Sequence, residues 1–164
     1  MQPYPVLETI YHHNLWANLT LLEVCMTLSD EQLRTSAVGG YGSILDTLQH
    51  FVTSEESYIY RIRTGEPLIH PKDEPVLSMT EMRDSLKASG EGLIEWASKI
   101  EPTDFVEIPW KDGELVQVPK AIILNQAINH ATEHREQITA ILTRLGIEPP
   151  ELSSWEYFDS QGLP

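Results

Sequence analysis

Four stretches of this chain carry hydrophobic residues at the period of a helix. From about Pro3 to Leu28, the residues Tyr4, Tyr11, Leu15, Leu19, Leu22 and Met26 recur at spacings of three, four and seven, the pattern of an amphipathic helix. Ser29 through Leu33 reads as a capped single turn, because Ser29 can cap and Gln32 follows three residues later. Gly39-Gly40-Tyr41-Gly42 then breaks the chain. Ser43 caps a second helix running to about Thr64, with Ile44, Leu45, Leu48, Val52, Ile59 and Ile62 as its stripe. Gly65 ends it, and Pro67 to Pro75 is a loop with three prolines.

A third helix, from Thr80 to about Ile100, has a thinner stripe of Met82, Leu86, Leu93, Ile94, Trp96 and Ala97. Gly90 and Gly92 interrupt it, each costing about 1 kcal/mol against alanine in a helix interior. Phe105–Trp110 and Glu114–Val118 flank Lys111-Asp112-Gly113, a hairpin signal. Pro119 suits the first turn of a fourth helix that reaches Leu145, with Gly146 as its stop. Beyond it lies a tail with Pro149-Pro150, Trp155, Tyr157 and Phe158, and its aromatic rings are expected to pack back on the helices. The expected architecture is therefore all-α: one domain over residues 1–164, a four-helix bundle with a small β-hairpin before the last helix. An up-down order is allowed, but the long third connection does not force it.

Composition narrows the partners more than the fold. The 164 residues are 41% hydrophobic and 22% charged, an ordinary globular balance. The net charge of −14, from 25 acidic and 11 basic residues, repels phosphate backbones, and no Lys/Arg cluster offsets it locally. Nucleic acid and anionic membranes are thus excluded as partners. No apolar run approaches the ~20 residues that span a bilayer. Met1-Gln-Pro-Tyr-Pro lacks the basic and apolar segments of a signal peptide, so a cytoplasmic location is expected. The one cysteine, Cys25, lies in an apolar stretch and is expected to be a buried, inert thiol.

The chemistry sits on the fourth helix, in Asn129-His130-Ala131-Thr132-Glu133-His134-Arg135-Glu136-Gln137. His130 and His134 are four apart, so they project from one face about 40° from each other. Ile123, Ala127, Gln137, Ile141 and Leu145 fall within about 60° of His130, which puts both histidines inside the apolar stripe. A divalent cation satisfies two such rings at once, and this reading is preferred to a pair of core histidines bonded to Tyr, Asn or Gln. The spacing is that of the HExxH helix, but residue 131 is Ala where that motif needs Glu, which excludes the usual zincin protease. The third ligand is left open by spacing. His50 lies about 160° from Leu48, off the main stripe, whereas His12 lies about 60° from Leu15. His13 points away from the first stripe, and His70 sits in a loop beside Pro71, where solvent exposure is the simplest reading.

The segment Gly42-Ser43-Ile44-Leu45-Asp46-Thr47-Leu48-Gln49-His50, with Glu55 and Tyr58 beyond it, resembles the second helix of DinB/YfiT-like proteins. Asn129-His130-x3-His134-Arg135-x-Gln137-Ile138 resembles their last helix, and Asn14-x-Trp16-Ala17-Asn18-x2-Leu21-Leu22 their first. The tail fits as well, so the resemblance covers nearly the whole chain. It implies an up-down-down-up four-helix bundle, frequently dimeric, with a three-histidine metal site that maps onto His50, His130 and His134. The displacement of His50 from its stripe is then explained if the second helix is buried on two sides.

Three imidazole ligands leave coordination positions open, as in catalytic sites, and suit Zn, Ni, Fe or Cu. Zn or Ni is the leading expectation, with Fe next. Gln137 is placed to bond metal-bound water, or equally to satisfy a backbone or ring group. Glu133 and Asn129 are candidates to orient a ring nitrogen. Glu55, about 20° from Leu48 in the second-helix stripe, is a candidate general base, though a structural hydrogen bond to Arg or Tyr is the simpler reading. Arg135 points off the metal face and is expected to form a surface pair. By resemblance, the expected function is a metal-dependent enzyme of thiol S-transferase or hydrolase type, activating water or a low-molecular-weight thiol such as bacillithiol or mycothiol against a small molecule. The alternative is a non-catalytic metal-binding or stress-response bundle.

Overall fold

Ser29, Ser43, Ser78 and Ser153 each accept a hydrogen bond from a backbone N–H three residues on, and so open four helices. These are α2 (Asp30–Leu33), α3 (Ile44–Thr64), α4 (Met79–Ala97) and α6 (Ser154–Ser160). Gln32, Asp46 and Glu81 return the bond to the serine N–H, closing a reciprocal box at the start of α2, α3 and α4. α1 (Val6–Cys25) and α5 (Lys120–Arg144) follow Pro5 and Pro119 instead. The computed structural model describes residues 5–71, 75–110 and 113–162. Pro3 and Tyr4 of the first expected helix and Lys111-Asp112 of the hairpin tip lie outside them.

The hairpin stands where the turn signal put it. β1 (Phe105–Pro109) and β2 (Leu115–Pro119) pair antiparallel, Phe105 opposite Pro119 and Pro109 opposite Leu115. Trp110 N–H donates to Glu114 O, and Gly113 supplies the positive φ of +83° at the turn.

Side-chain contacts give the bundle its direction. Leu77, just before α4, donates its N–H to Gln49 near the start of α3, and Arg63 at the end of α3 pairs with Glu95 at the end of α4. α3 and α4 therefore run parallel. α5 runs opposite to α3, since His50 meets His130 while Tyr58, two turns further along α3, meets Gln126. Tyr11 near the start of α1 joins Leu93 and Ala97 of α4 and Ile123 of α5, whereas Leu22 and Cys25 join Met82, Leu86, Ile141 and Leu142. The long helices thus form the expected up-down-down-up bundle, with α3 wedged between α4 and α5. Among the described residues no helix is long and apolar enough to cross a membrane.

Gly90 and Gly92, a weakness by propensity, are points of close approach. A Cβ on Gly90 would lie 2.6 Å from Leu15 Cδ1, and one on Gly92 would lie 2.7 Å from Ile59 Cγ1. α4 needs both glycines to approach α1 and α3 this closely.

Two expectations are corrected. The inward face of α1 is Tyr11, Asn14, Ala17, Asn18, Leu21, Leu22 and Cys25, while Met26 is exposed. Two asparagines lie in that face because partners on other helices receive them. In the tail, Tyr157 is buried and packs on His13 and Trp16, but Trp155 is 81% exposed and Phe158 45%. α6 is a short helix with one buried face, so only one of its three rings docks.

Candidate metal centre

α5 presents His130 and His134 one turn apart, and antiparallel α3 brings His50 to the same height. His130 Nε2 lies 3.1 Å from His50 Nε2 and 3.1 Å from His134 Nε2. All three ligand nitrogens lie within 4.8 Å of one another. His134 is buried, and His50 and His130 are half-buried.

Protonation states follow from the neighbours. Gln137 Oε1 accepts the backbone N–H of Tyr41 at 3.3 Å and lies 2.8 Å from His134 Nδ1. A backbone N–H only donates, so the Gln137 atom is the amide oxygen and Nδ1 must carry the proton. His134 Nε2 is left with its lone pair facing the other two rings. Burial, then the positive charge of neighbouring rings, lowers the His130 pKa to about 4. The same two causes pull His50 down. His50 and His130 are thereby held in the neutral form that metal ligation requires.

Two ligands at ~2.05 Å from a tetrahedral ion stand roughly 3.3 Å apart, close to the two Nε2 separations found here. Nitrogen lone pairs crowded at this spacing repel unless a proton or a cation lies between them. The set is compatible with a divalent-metal site. Tyr41 stacks on His50 with ring centroids 3.9 Å apart and planes 9° apart, and turns its plane across His134. Tyr58 sets its ring against His130, with centroids 5.7 Å apart and planes 87° apart.

Other expected residues fall differently. Gln137 satisfies a ring nitrogen and a backbone N–H, the plainer of its two readings. Glu133 and Asn129 are exposed, and the Nδ1 of His134 has gone to Gln137. His12 is half-buried on α1 and outside the cluster. His13 Nε2 donates to Leu152 O of the tail, 2.8 Å away. His70, expected in solvent, is half-buried with Nε2 3.3 Å from Ser57 Oγ, because the loop folds back on α3.

The main correction is Arg135. It is 5% exposed, not a surface residue, and its Nη1 donates to Asn14 Oδ1 and Asn18 Oδ1 on α1, while Nη2 reaches Thr132. The same two asparagines donate through Nδ2 to Glu55 Oε2 at 3.3 and 3.0 Å, and Ser89 Oγ donates to Oε1 at 2.6 Å. A carboxylate and a guanidinium are thus joined through two amides in the bundle interior. Burial pushes the Glu55 carboxyl up, opposed by these donors and by Arg135, and burial lowers Arg135 to about 10. Asn14 and Asn18, four apart on an apolar face, were the sequence signal that a polar partner set lay inside.

Fold and site together define a four-helix bundle with three convergent histidines on two neighbouring helices. The DinB family model matches residues 3–162, and the chain belongs to the DinB family. A DinB-like protein of Bacillus subtilis, YjoA, superposes with a TM-score of 0.63 at 16% identity, over 88% of this chain and 97% of that one. A DinB-like protein of Bacillus cereus ATCC 10987 gives 0.60 at 20% identity, over 86% and 91%. No curated protein matches the chain.

Proposed function

We propose that the protein is a divalent-transition-metal-dependent enzyme of thiol S-transferase or hydrolase type, with His50, His130 and His134 as the metal ligands. The carrying observation is the meeting of three imidazoles through Nε2, with 3.1 Å between neighbours. Three protein ligands leave positions for water or substrate, and a bound Zn²⁺ or Ni²⁺ supplies Lewis acidity that lowers the pKa of a thiol or water. Fe is the next choice. The protein's own part is to keep His50 and His130 neutral, hold the His134 tautomer through Gln137, and cover His50 with Tyr41. The substrate is a small molecule, with a low-molecular-weight thiol as the co-substrate for transfer.

One observation favours the non-catalytic metal-binding or stress-response reading. Glu55 is enclosed by Asn14, Asn18 and Ser89, and Gln137 is committed to His134 and Tyr41, so neither candidate is free to move a proton. The open coordination of a three-histidine set keeps the enzyme reading ahead. We further propose a cytoplasmic homodimer. Exposed Val6, Leu7 and Ile10 on α1 and Trp155 and Phe158 on α6 offer apolar surface to a second copy, and light scattering after gel filtration checks the mass.

Elemental analysis of protein purified without an affinity tag is the deciding experiment. About one equivalent of metal, lost in His130→Ala and in His134→Ala, supports the site and justifies a screen of thiols and electrophiles. Wild-type protein that takes up no metal on reconstitution removes the enzyme reading.

A further inference from the structure

Beyond His130, the seam between α3 and α5 opens into a cavity. Its volume is about 380 Å³, within the range of small-ligand sites, and it is lined by Tyr58 and Arg61 of α3, Trp110 and Val118 of the hairpin, and Ile122 and Gln126 of α5. Tyr58 is shared: one side of its ring faces His130 and its side chain also walls the cavity. The lining is apolar apart from a few groups, and among the described lining residues Arg61 carries the one positive charge. Arg61 is half-buried, and its side chain has no hydrogen bond or ion pair to another described residue. In a chain of net charge −14 an arginine with no carboxylate partner among the described residues is unusual. A planar guanidinium at the edge of an apolar cavity matches a carboxylate, sulfonate or phosphate group whose carbon body lies against Trp110 and Ile122.

We infer that this cavity is a binding subsite for a small organic anion with an apolar body, held by Arg61 and separated from the three histidines by Tyr58. The inference deepens the enzyme reading, since it assigns the class of molecule brought beside the metal centre, but its binding test does not require metal.

The probes are 8-anilinonaphthalene-1-sulfonate and its neutral counterpart N-phenyl-1-naphthylamine, followed by fluorescence titration of the wild type, Arg61→Gln and Val118→Trp. Arg61→Gln is expected to weaken the sulfonate by about tenfold, the worth of a charge-assisted contact, and the neutral probe by less than about twofold. Val118→Trp, which fills the cavity, is expected to abolish the fluorescence of both. Unchanged sulfonate affinity in Arg61→Gln, or undiminished fluorescence of both probes in Val118→Trp, overturns the subsite. A His130→Ala/His134→Ala double variant separates the two readings. Metal lost with the Arg61 effect intact supports the subsite on its own, while a protein that never binds metal yet shows the Arg61 effect removes only the metal reading.

Discussion

His134 donates its Nδ1 proton to Gln137 Oε1 across 2.8 Å, one turn further along the same helix. The contact decides which nitrogen of the ring is basic, and therefore which faces His130. Tyr41 locks the amide orientation by donating its backbone N–H to the same oxygen. A loop residue and a helix residue together thus choose a tautomer at the centre of the cluster.

Gln137→Leu removes that acceptor while keeping the side-chain volume. Metal affinity, measured by competition with a chromophoric chelator, should fall about 10- to 100-fold. Gln137→Glu, which still accepts the proton, should keep affinity near wild type. Equal affinity in the leucine variant would show that Gln137 does not set the tautomer.

The low pKa values of His50 and His130 have a defined sign. Unfolded histidine titrates near 6.5, and the folded His130 titrates near about 4. The neutral forms favour the fold, so the contribution of His130 is complete above about pH 6.5 and is lost as pH falls toward about 4, and His50 acts in the same direction. Glu55 acts the other way, because its raised pKa favours the fold as the pH drops. The melting temperature of metal-free protein should decline between pH 6.5 and 4, and His130→Ala should flatten that decline. Parallel curves for the two proteins would contradict the assignment.

Arg135→Met strips the donor from two buried asparagine oxygens and leaves Glu55 without its nearby cation. A loss of about 3–5 kcal/mol in urea unfolding is expected, the cost of breaking a buried charge pair. Replacing Glu55 and Arg135 together with Leu and Met should cost less than the single change. A single-variant cost below about 1 kcal/mol would mean the network is not a stabilising unit.

Gly90→Ala pushes a methyl group to within contact of Leu15, so α1 and α4 must separate or Leu15 must change rotamer. The expected destabilisation is about 1–3 kcal/mol, against the small gain that alanine brings in an open helix. Leu15→Ala in the same background should recover part of it, and the coupling is read from a double-mutant cycle.

Cys25 is wholly buried, and burial pushes its thiol up to about 12. Native protein should therefore leave a disulfide reagent such as 5,5′-dithiobis(2-nitrobenzoate) unreacted, and the unfolded chain should release one equivalent of thionitrobenzoate. Rapid reaction of the native protein would place the thiol at the surface.

Much of the architecture follows from local pattern. The periodic stripes, the serine caps, Gly65 and Gly146 after their helices and the Lys111-Asp112-Gly113 turn signal locate the long helices and the hairpin. The pairing of His130 with His134 is equally local, since a four-residue spacing on a helix is itself a distance. His50 is different. On its own helix it lies off the apolar stripe, and only the antiparallel packing of α3 on α5 brings its Nε2 to 3.1 Å from His130. The family resemblance supplied what periodicity could not. Arg135 shows the same limit without such help. A helical wheel assigns one inward direction, but a helix between two neighbours has two, and α5 turns His134 toward α3 while Arg135 reaches Asn14 and Asn18 on α1. Tertiary structure made these decisions because the partners of a buried polar side chain lie on other helices, and the spacing within one helix carries no information about them.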